Sequence, residues 1–429
     1  MAQSYQQTID WLFNQIPMFQ NVGAGAYKPG LETVTRLSEV FGSPHLKLKA
    51  IHIAGTNGKG STASTIAAVL SSAGYKTALY TSPHLVDFRE RMRIDGQMIS
   101  EEEVVEFIER FRSLNFEPQP SFFELTTVMA FDFFARNNVD YAVIETGLGG
   151  RLDATNILTP LLSIITNISP DHTALLGDTL AAIASEKAGI IKPGVPVVIG
   201  RAEGDVRKVF AEKARKEGSS IVFASENPAY SSFENHATHI IYRDTPWGSI
   251  SGELTGDCQS ENANAALTAL HIFMPELPAE AVQQGFTNVC SLSGLMGRWT
   301  TLQTSPLVIC DTGHNTGGWD YLAPRLAKIA SETDLHMVIG FVSDKDVSSI
   351  LSKLPAQATY YFATPSVRRG LNSECLRTTA ETFGLKGKAY PDVATAYNEA
   401  IKSCQPSDTI FIGGSTFVVA DLLTYLNNV

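Results

Sequence analysis

Residues 49–81 read KAIHIAGTNGKGSTASTIAAVLSSAGYKTALYT, and their order decides the fold. KAIHIA (49–54) is a short, β-branched apolar run of the kind that forms a strand buried on both faces. GTNGKGST (55–62) is a glycine-rich loop, and STASTIAAVLSSA (61–73) has the length and content of a helix that Gly74 ends. KTALYT (76–81) returns to strand. Strand, glycine loop, helix and strand in that order imply two parallel strands joined by a crossover helix.

The loop itself carries chemistry. Its glycines permit positive φ and bring backbone N–H groups close to phosphate oxygens. The start of the following helix adds a favourable partial charge. Lys59 can neutralise β- and γ-phosphates, and a hydroxyl from Ser61 or Thr62 can approach a metal. A tight packing turn is the bland alternative, but such a turn has no use for a cation. The spacing departs from G-x-x-x-x-G-K-[ST]: the first glycine lies only four residues before Lys59, and Gly60 follows it.

The alternation continues outward. YAVIE (141–145) and LLSIIT (161–166) read as central strands, with helical patterns at 101–114 and 123–136. Residues 219–252 are a small β-rich excursion. Around SLSGLMGR (291–298) small residues interrupt the pattern, which places a domain boundary between 296 and 297. Beyond it, strands at 307–310, 336–341, 359–363 and 409–412 alternate with helices at 318–330, 347–354, 373–383, 394–404 and 416–426. The expected fold is α/β: a P-loop-type, mostly parallel sheet domain (1–296) and a smaller Rossmann-like α/β domain (297–429), with the active site in the cleft between them.

A net charge of −11 argues against a nucleic-acid partner, which would favour a basic surface. The N-terminus has no basic segment followed by an apolar core, and no apolar run reaches the roughly 18 residues of a membrane span, so no membrane partner is expected. Five scattered cysteines without CxxC spacing point to a reducing compartment, and the cytoplasm is the expected location.

Three further clusters follow strands of the first domain: SPHL (82–85), Glu145 at the head of ETGLGGRLD (145–153), and Asp171 with His172. Ligands of open α/β sheets bind beyond the carboxyl ends of strands, so all three face the same edge as the glycine loop. Ser82, Glu145 and His172 could hold Mg²⁺ beside phosphates. Ser82 could equally cap the next segment, and His172 could be a hydrogen-bonded turn histidine. Glu145 ends an apolar strand and needs a cationic partner or metal; Arg151 is the other candidate. Lys187, in EKAG (186–189), reads from position alone as a solvated lysine at a helix C-terminus.

These motifs run in the order of a known family. The chain resembles bacterial folylpolyglutamate synthase/dihydrofolate synthase, a branch of the Mur ligase superfamily. GTNGKGS (55–61), SPHL, FFELTT (122–127), ETGLGGRLDATN (145–156), TNISPDH (166–172), EKAGIIKPG (186–194), GRW (297–299), DTGHN (311–315) and SDKD (343–346) carry the resemblance. It implies an ATP- and Mg²⁺-dependent ligase that joins L-glutamate to a folate-type carboxylate through an acyl phosphate. By the same resemblance Thr56, Asn57, Gly58, Lys59, Gly60, Ser61, Asn262, Arg298 and Asp311 contact the nucleotide. Ser82, Glu145, His172 and a carbamylated Lys187 serve the metal, with Lys59, Lys187 and His172 as catalytic groups. Phe122, Phe123, Glu124 and Thr127, with the stretch 21–31, line the pterin pocket, and His314 and Ser415 meet the incoming glutamate. A monomer taking folate or dihydropteroate, L-glutamate and ATP is expected.

Two motifs depart from the family pattern. DTGHNT (311–316) stands where DGAHNP is usual, and GFV (340–342) precedes SDKD in place of a methionine-rich run. The rival readings are a cell-wall Mur-type ligase and a non-catalytic nucleotide sensor. FFELTT and SPHL favour folate over a UDP-sugar peptide, and retention of Lys59, Glu145, His172 and Lys187 together speaks against a sensor.

Overall fold

A computed structural model describes residues 4–16 and 30–428. The chain divides into two compact units, one running to Leu295 apart from Leu85–Asp87, the other comprising Leu85–Asp87 and Met296–Val429.

In the first unit, β1 (Ala50–Ala54), β2 (Thr77–Tyr80), β3 (Met92–Ile94), β4 (Gln97–Met98), β5 (Tyr141–Glu145), β6 (Leu162–Ile165), β7 (Val197–Ile199) and β8 (Ile221–Phe223) form one sheet. Their order is β4-β3-β2-β5-β1-β6-β7-β8. The strands from β2 to β8 pair in parallel; β3 and β4 are an antiparallel edge hairpin. All of β1 is buried, as a strand covered on both faces must be. Alternate residues feed two cores. Ala142 and Ile144 join one with the helices Glu101–Ser113 and Phe122–Arg136. Ile51, Ile53 and Val143 join the other with the helices Lys59–Ser72 and Asp257–Phe273.

The glycine-loop helix Lys59–Ser72 is buried all round from Gly60 to Leu70. Its small residues allow this. A Cβ at Gly285, on the neighbouring helix Ala279–Thr287, would stand 2.5 Å from Val69 Cα, so the two helices touch backbone to backbone there. The excursion after β8 is a separate antiparallel sheet of β9 (Ser232–Asn235), β10 (Ile240–Thr245) and β11 (Gly248–Gly252).

The second unit holds β12 (Thr300–Thr304), β13 (Leu307–Cys310), β14 (Leu335–Ile339), β15 (Thr359–Ala363), β16 (Lys386–Tyr390) and β17 (Thr409–Gly413) in the order β12-β13-β17-β14-β15-β16. All pairs are parallel except β12 with β13. Sequence pattern anticipates the four inner strands and misses β12 and β16. Both are edge strands whose TTLQT and KGKAY lack an apolar run, since only one neighbour and one face support them. No helix among the described residues is long and apolar enough to cross a membrane.

Candidate active site

Every cluster singled out in the first unit lies just beyond the carboxyl end of a strand. Gly55 to Gly58 follow β1 directly, and Gly58, at φ 82°, leads into the helix that Lys59 opens. A Cβ on Gly58 would collide with Asn262 Oδ1, so the amide of Asn262 lies against the loop backbone. Asn262 Nδ2 donates to Gln259 Oε1 at 3.0 Å, and Gln259 Nε2 donates to Ser61 Oγ at 3.4 Å. The loop is thus tied to the helix Asp257–Phe273 through Ser61 and faces Asn262.

Residues 166–172 brace the loop from the other side. Thr56 N–H donates to Asn167 O (2.9 Å), Asn57 N–H to Asn167 Oδ1 (3.0 Å), and Ser169 N–H to Thr56 Oγ1 (3.1 Å). Thr166 Oγ1 donates to Asn57 O at 2.5 Å. This fixes a loop conformation that would otherwise cost backbone entropy to order.

Lys59 Nζ donates to Thr56 O at 3.2 Å and stands 3.9 Å from Glu145 Oε1. Glu145 is 4 % exposed, and its Oε2 accepts the Ser82 backbone N–H at 3.1 Å. Lys59 is therefore the cation Glu145 requires. Arg151, the alternative, pairs with Glu186 at 2.8 Å instead. Its backbone N–H also donates to Glu186 O at 2.7 Å, locking residues 149–151 onto the end of the helix Leu180–Lys187. A Cβ on Gly150 would meet Glu186 O and Lys187 O at 2.9 Å, so only glycine permits this approach.

Lys187 departs from the positional reading of a solvated helix-end lysine: it is 3 % exposed. Burial and then the nearby Lys59 charge bring its amine down to about 7, with Asp171 and Asp153 opposing. Sequence position alone misses this, because the charged groups near it, Lys59, Asp171 and Asp153, come from other segments of the chain. His172 has a left-handed backbone at φ 49° and donates its N–H to Asp171 Oδ1 at 2.9 Å. Its link to the cluster runs through Asp171, which interacts electrostatically with Lys187.

Among the described residues no three His, Cys, Asp or Glu side chains converge as a metal cage. Such a cage is not what Mg²⁺ needs, since it binds through one or two carboxylates with phosphate oxygens and water. The buried Glu145 carboxylate beside Ser82 and the phosphate loop suits that donor set. Asn57, Gly58 and Lys59 are partly exposed at this edge.

The FFELTT segment is helical from Phe122. Ser121 and Glu124 form its capping box, with Glu124 Oε2 accepting the Ser121 N–H at 2.6 Å. Phe123 packs on Gly147, where a Cβ would lie 2.5 Å from its ring, bringing this helix against residues 145–150. Thr127 Oγ1 lies 3.2 Å from Tyr80 OH, and Phe122 is buried. Of the stretch 21–31, only Gly30 and Leu31 fall within the described residues. Asp153 is a buried carboxylate that spacing did not single out. It accepts the Leu148 N–H at 2.8 Å and the Thr155 N–H at 3.0 Å, and burial holds its carboxyl above the usual range. Its place inside the motif 145–156 was the available signal.

In the second unit, Asp311 follows β13. Its Oδ2 accepts the Trp299 N–H and its Oδ1 the Gly313 N–H, each at 2.8 Å. Burial raises its carboxyl, and Arg298 opposes that rise. Arg298 bonds Thr312 Oγ1 and, at 3.1 Å, Gly297 O. His314 Nδ1 lies 3.1 Å from Thr312 O; a carbonyl only accepts, so Nδ1 carries a proton. Asn315 caps the helix Thr316–Glu332, accepting the Gly318 N–H at 2.9 Å. Thr316 thus occupies the first helical position, where proline is also favoured, so the departure from DGAHNP leaves the helix start intact. Ser415 is buried and caps the helix Thr416–Asn427, accepting the Val418 N–H at 3.3 Å.

A glycine loop whose partly exposed Lys59 pairs with the buried Glu145 at one strand edge, followed by a second parallel-sheet unit, fits a Mur-type ATP-dependent ligase. The family models agree: residues 53–270 match the Mur ligase middle domain and 297–416 the Mur ligase glutamate ligase domain. A probable bifunctional folylpolyglutamate synthase/dihydropteroate synthase of Haloferax volcanii is 34 % identical over 98 % of this chain, which spans 50 % of that longer protein. The dihydrofolate synthase/folylpolyglutamate synthase of Bacillus subtilis is 30 % identical over 98 % of this chain and 99 % of its own length. E. coli FolC in complex with DHPP and ADP superposes with a TM-score of 0.84 at 28 % identity, covering 100 % of this chain and 98 % of that one. A bifunctional folylpolyglutamate synthase/dihydrofolate synthase with Mn, AMPPNP and L-glutamate bound gives 0.83 at 28 %, covering 99 % and 98 %. The chain belongs to the folylpolyglutamate synthase/dihydrofolate synthase branch of the Mur ligase family.

Proposed function

We propose that this enzyme adds L-glutamate to a folate-type carboxylate, extending tetrahydrofolate, converting dihydropteroate to dihydrofolate, or both. The observation that carries the reading is the cluster of Lys59, Glu145 and buried Lys187 at the phosphate-loop edge. The ligands of its relatives supply the substrate classes: DHPP and ADP in one, Mn, AMPPNP and L-glutamate in the other.

In this reading residues 1–296 hold ATP and the folate, and 297–429 present the amino acid. Thr56, Asn57, Gly58, Gly60 and Ser61 wrap the phosphates while Lys59 neutralises the γ-phosphoryl group as it moves to the substrate carboxylate. Asn262, Arg298 and Asp311 contact the nucleotide. Ser82, Glu145, His172 and a carboxylated Lys187 would hold Mg²⁺, which when bound neutralises phosphate charge. Phe122, Phe123, Glu124 and Thr127 border the pterin, with Glu124 also serving as a helix cap. His314 and Ser415 meet the incoming glutamate. The amine then attacks the acyl phosphate and phosphate leaves.

Lys187 is the modified residue of this scheme. Its lone pair attacks CO₂, an N–C bond forms, and an N–H proton leaves to solvent, which replaces a cation by a carboxylate-like anion. An amine brought down to about 7 supplies the neutral form this requires. The enzyme works as a monomer in the cytoplasm; its five cysteines form no disulfide, which suits a reducing compartment. Phosphate release on adding dihydropteroate or tetrahydrofolate with glutamate and MgATP tests the reading. Release that does not depend on the folate acceptor refutes it.

A further inference from the structure

Asn156 closes the motif 145–156 and has no task in the scheme above, yet it is buried, at 4 % exposure. Its Nδ2 donates to two backbone carbonyls, Arg151 O at 3.0 Å and Gly189 O at 3.2 Å. Its Oδ1 finds no donor among the described residues. A side-chain amide carries two N–H groups, and here both are spent while the oxygen is buried unpaired. An unpaired buried acceptor is a cost to the fold, so the two donors are what this side chain contributes.

The two carbonyls belong to the segments that meet at Lys187. A Cβ on Gly150 would lie 3.0 Å from Lys187 Cα, and one on Gly189 would lie 2.3 Å from Arg151 Cα, so the backbones touch there. Arg151 N–H closes the same contact by donating to Glu186 O at 2.7 Å. Arg151 O and Gly189 O are both acceptors and cannot bond each other; Asn156 joins them. The clamp also reaches towards Glu145, because the loop between is bound to itself. Asp153 accepts the Leu148 N–H at 2.8 Å and donates its own N–H to Gly150 O at 3.2 Å, and Asn156 N–H donates to Asp153 O at 2.8 Å. Lys59 stands 3.9 Å from Glu145 Oε1 and near enough to Lys187 for its charge to act there, which puts Glu145 and Lys187 at one corner.

We propose that Asn156 is a positioning residue: by joining Arg151 O to Gly189 O it holds the Lys187 backbone against the loop that starts at Glu145, and so sets the spacing of two side chains assigned to the metal. The inference rests on the functional reading above, from which it takes the roles of Glu145 and Lys187. Asn156 acts through Lys187 and is not itself a ligand.

The test is equilibrium binding of Mn²⁺ in the presence of AMPPNP, read without turnover from the electron paramagnetic resonance of free Mn²⁺. Asn156→Asp keeps the size of the side chain and replaces the donating amide by a carboxylate oxygen that faces two carbonyls. N156D is expected to bind Mn²⁺ about tenfold more weakly, as when a group that orients a metal ligand is lost, while AMPPNP without metal binds as it does to wild type. K187A weakens Mn²⁺ at least as much, and the double variant K187A/N156D is no worse than K187A, as expected for groups acting in series. Should N156D fail to fold, N156A decides, since it removes the donors without adding a charge. Wild-type Mn²⁺ affinity in the Asn156 variant overturns the proposal. So do losses that multiply in the double variant, and so does an equal loss of metal-free AMPPNP binding, which marks a merely structural role. A wild-type chain that binds Mn²⁺ and AMPPNP but ligates nothing sinks the functional reading, and the same comparison still decides this one.

Discussion

Two buried groups illustrate what single residues contribute. Lys187 is enclosed by residues from another part of the chain, and burial is what makes its amine available for carboxylation near neutral pH. Lys187→Ala is expected to be nearly inactive, and small carboxylic acids are expected to restore part of the activity by filling the vacated space. As pH falls below about 7 the amine protonates, so activity should decline on the acid side and recover when CO₂ is added. Density for an unmodified ammonium at Lys187 in a fully active preparation would remove this role. His52, at the centre of β1, is a second case. Its Nε2–H donates to Thr155 Oγ1 at 2.8 Å, and the Thr155 hydroxyl in turn donates a hydrogen bond to Asp153 Oδ1 at 2.5 Å. Burial brings the imidazole from 6.5 down to about 3. The unfolded chain therefore takes up this proton first as pH falls. The stability it gives is complete above pH 6.5 and is lost towards pH 3, amounting to about 2 kcal/mol by pH 5. H52Q should flatten the fall in denaturation midpoint between pH 6.5 and 5; curves that stay parallel would show that His52 is not the group titrating.

At the scale of elements, the site is made by loops that must approach backbone to backbone. Gly58 combines φ 82° with contact to Asn262, so Gly58→Ala is strained twice. Nucleotide affinity is expected to fall at least about tenfold while the far-UV spectrum stays native, because loop strain of 1–3 kcal/mol is local. An unchanged ATP affinity in this variant would show that the loop does not cradle phosphate. The glycine loop, β1 and β5 were legible in sequence because a buried parallel strand must be apolar and a turn from strand to helix at positive φ favours glycine. β12 and β16 were not, because an edge strand needs neither property. The burial of Lys187 and the choice of Lys59 over Arg151 as partner to Glu145 depend on contacts between segments far apart in sequence. Local pattern carries no trace of them. Residue chemistry alone read Lys187 as a solvated side chain, and its burial contradicts that reading; its proposed modification rests on the resemblance to the family.

At the scale of the whole molecule, each unit has its own sheet and core, and the groups assigned to ATP and to the amino acid are divided between them. A non-hydrolysable ATP analogue with Mg²⁺ at a hundred times its Kd should stabilise the chain by about 2.7 kcal/mol. Lys59→Ala should abolish that gain and lower turnover at least about a hundredfold, since in the proposed scheme Lys59 meets the charge that develops on the transferred group. Near-normal ligation by Lys59→Ala would contradict the assignment of the loop. The most direct test of the central claim is to incubate the enzyme with MgATP, L-glutamate and either dihydropteroate or tetrahydrofolate, and follow phosphate together with the mass of the folate product. The account predicts one phosphate released for each glutamyl residue added, and no release when glutamate or the folate acceptor is left out. Phosphate without a glutamylated product, or the same release without acceptor, would contradict it.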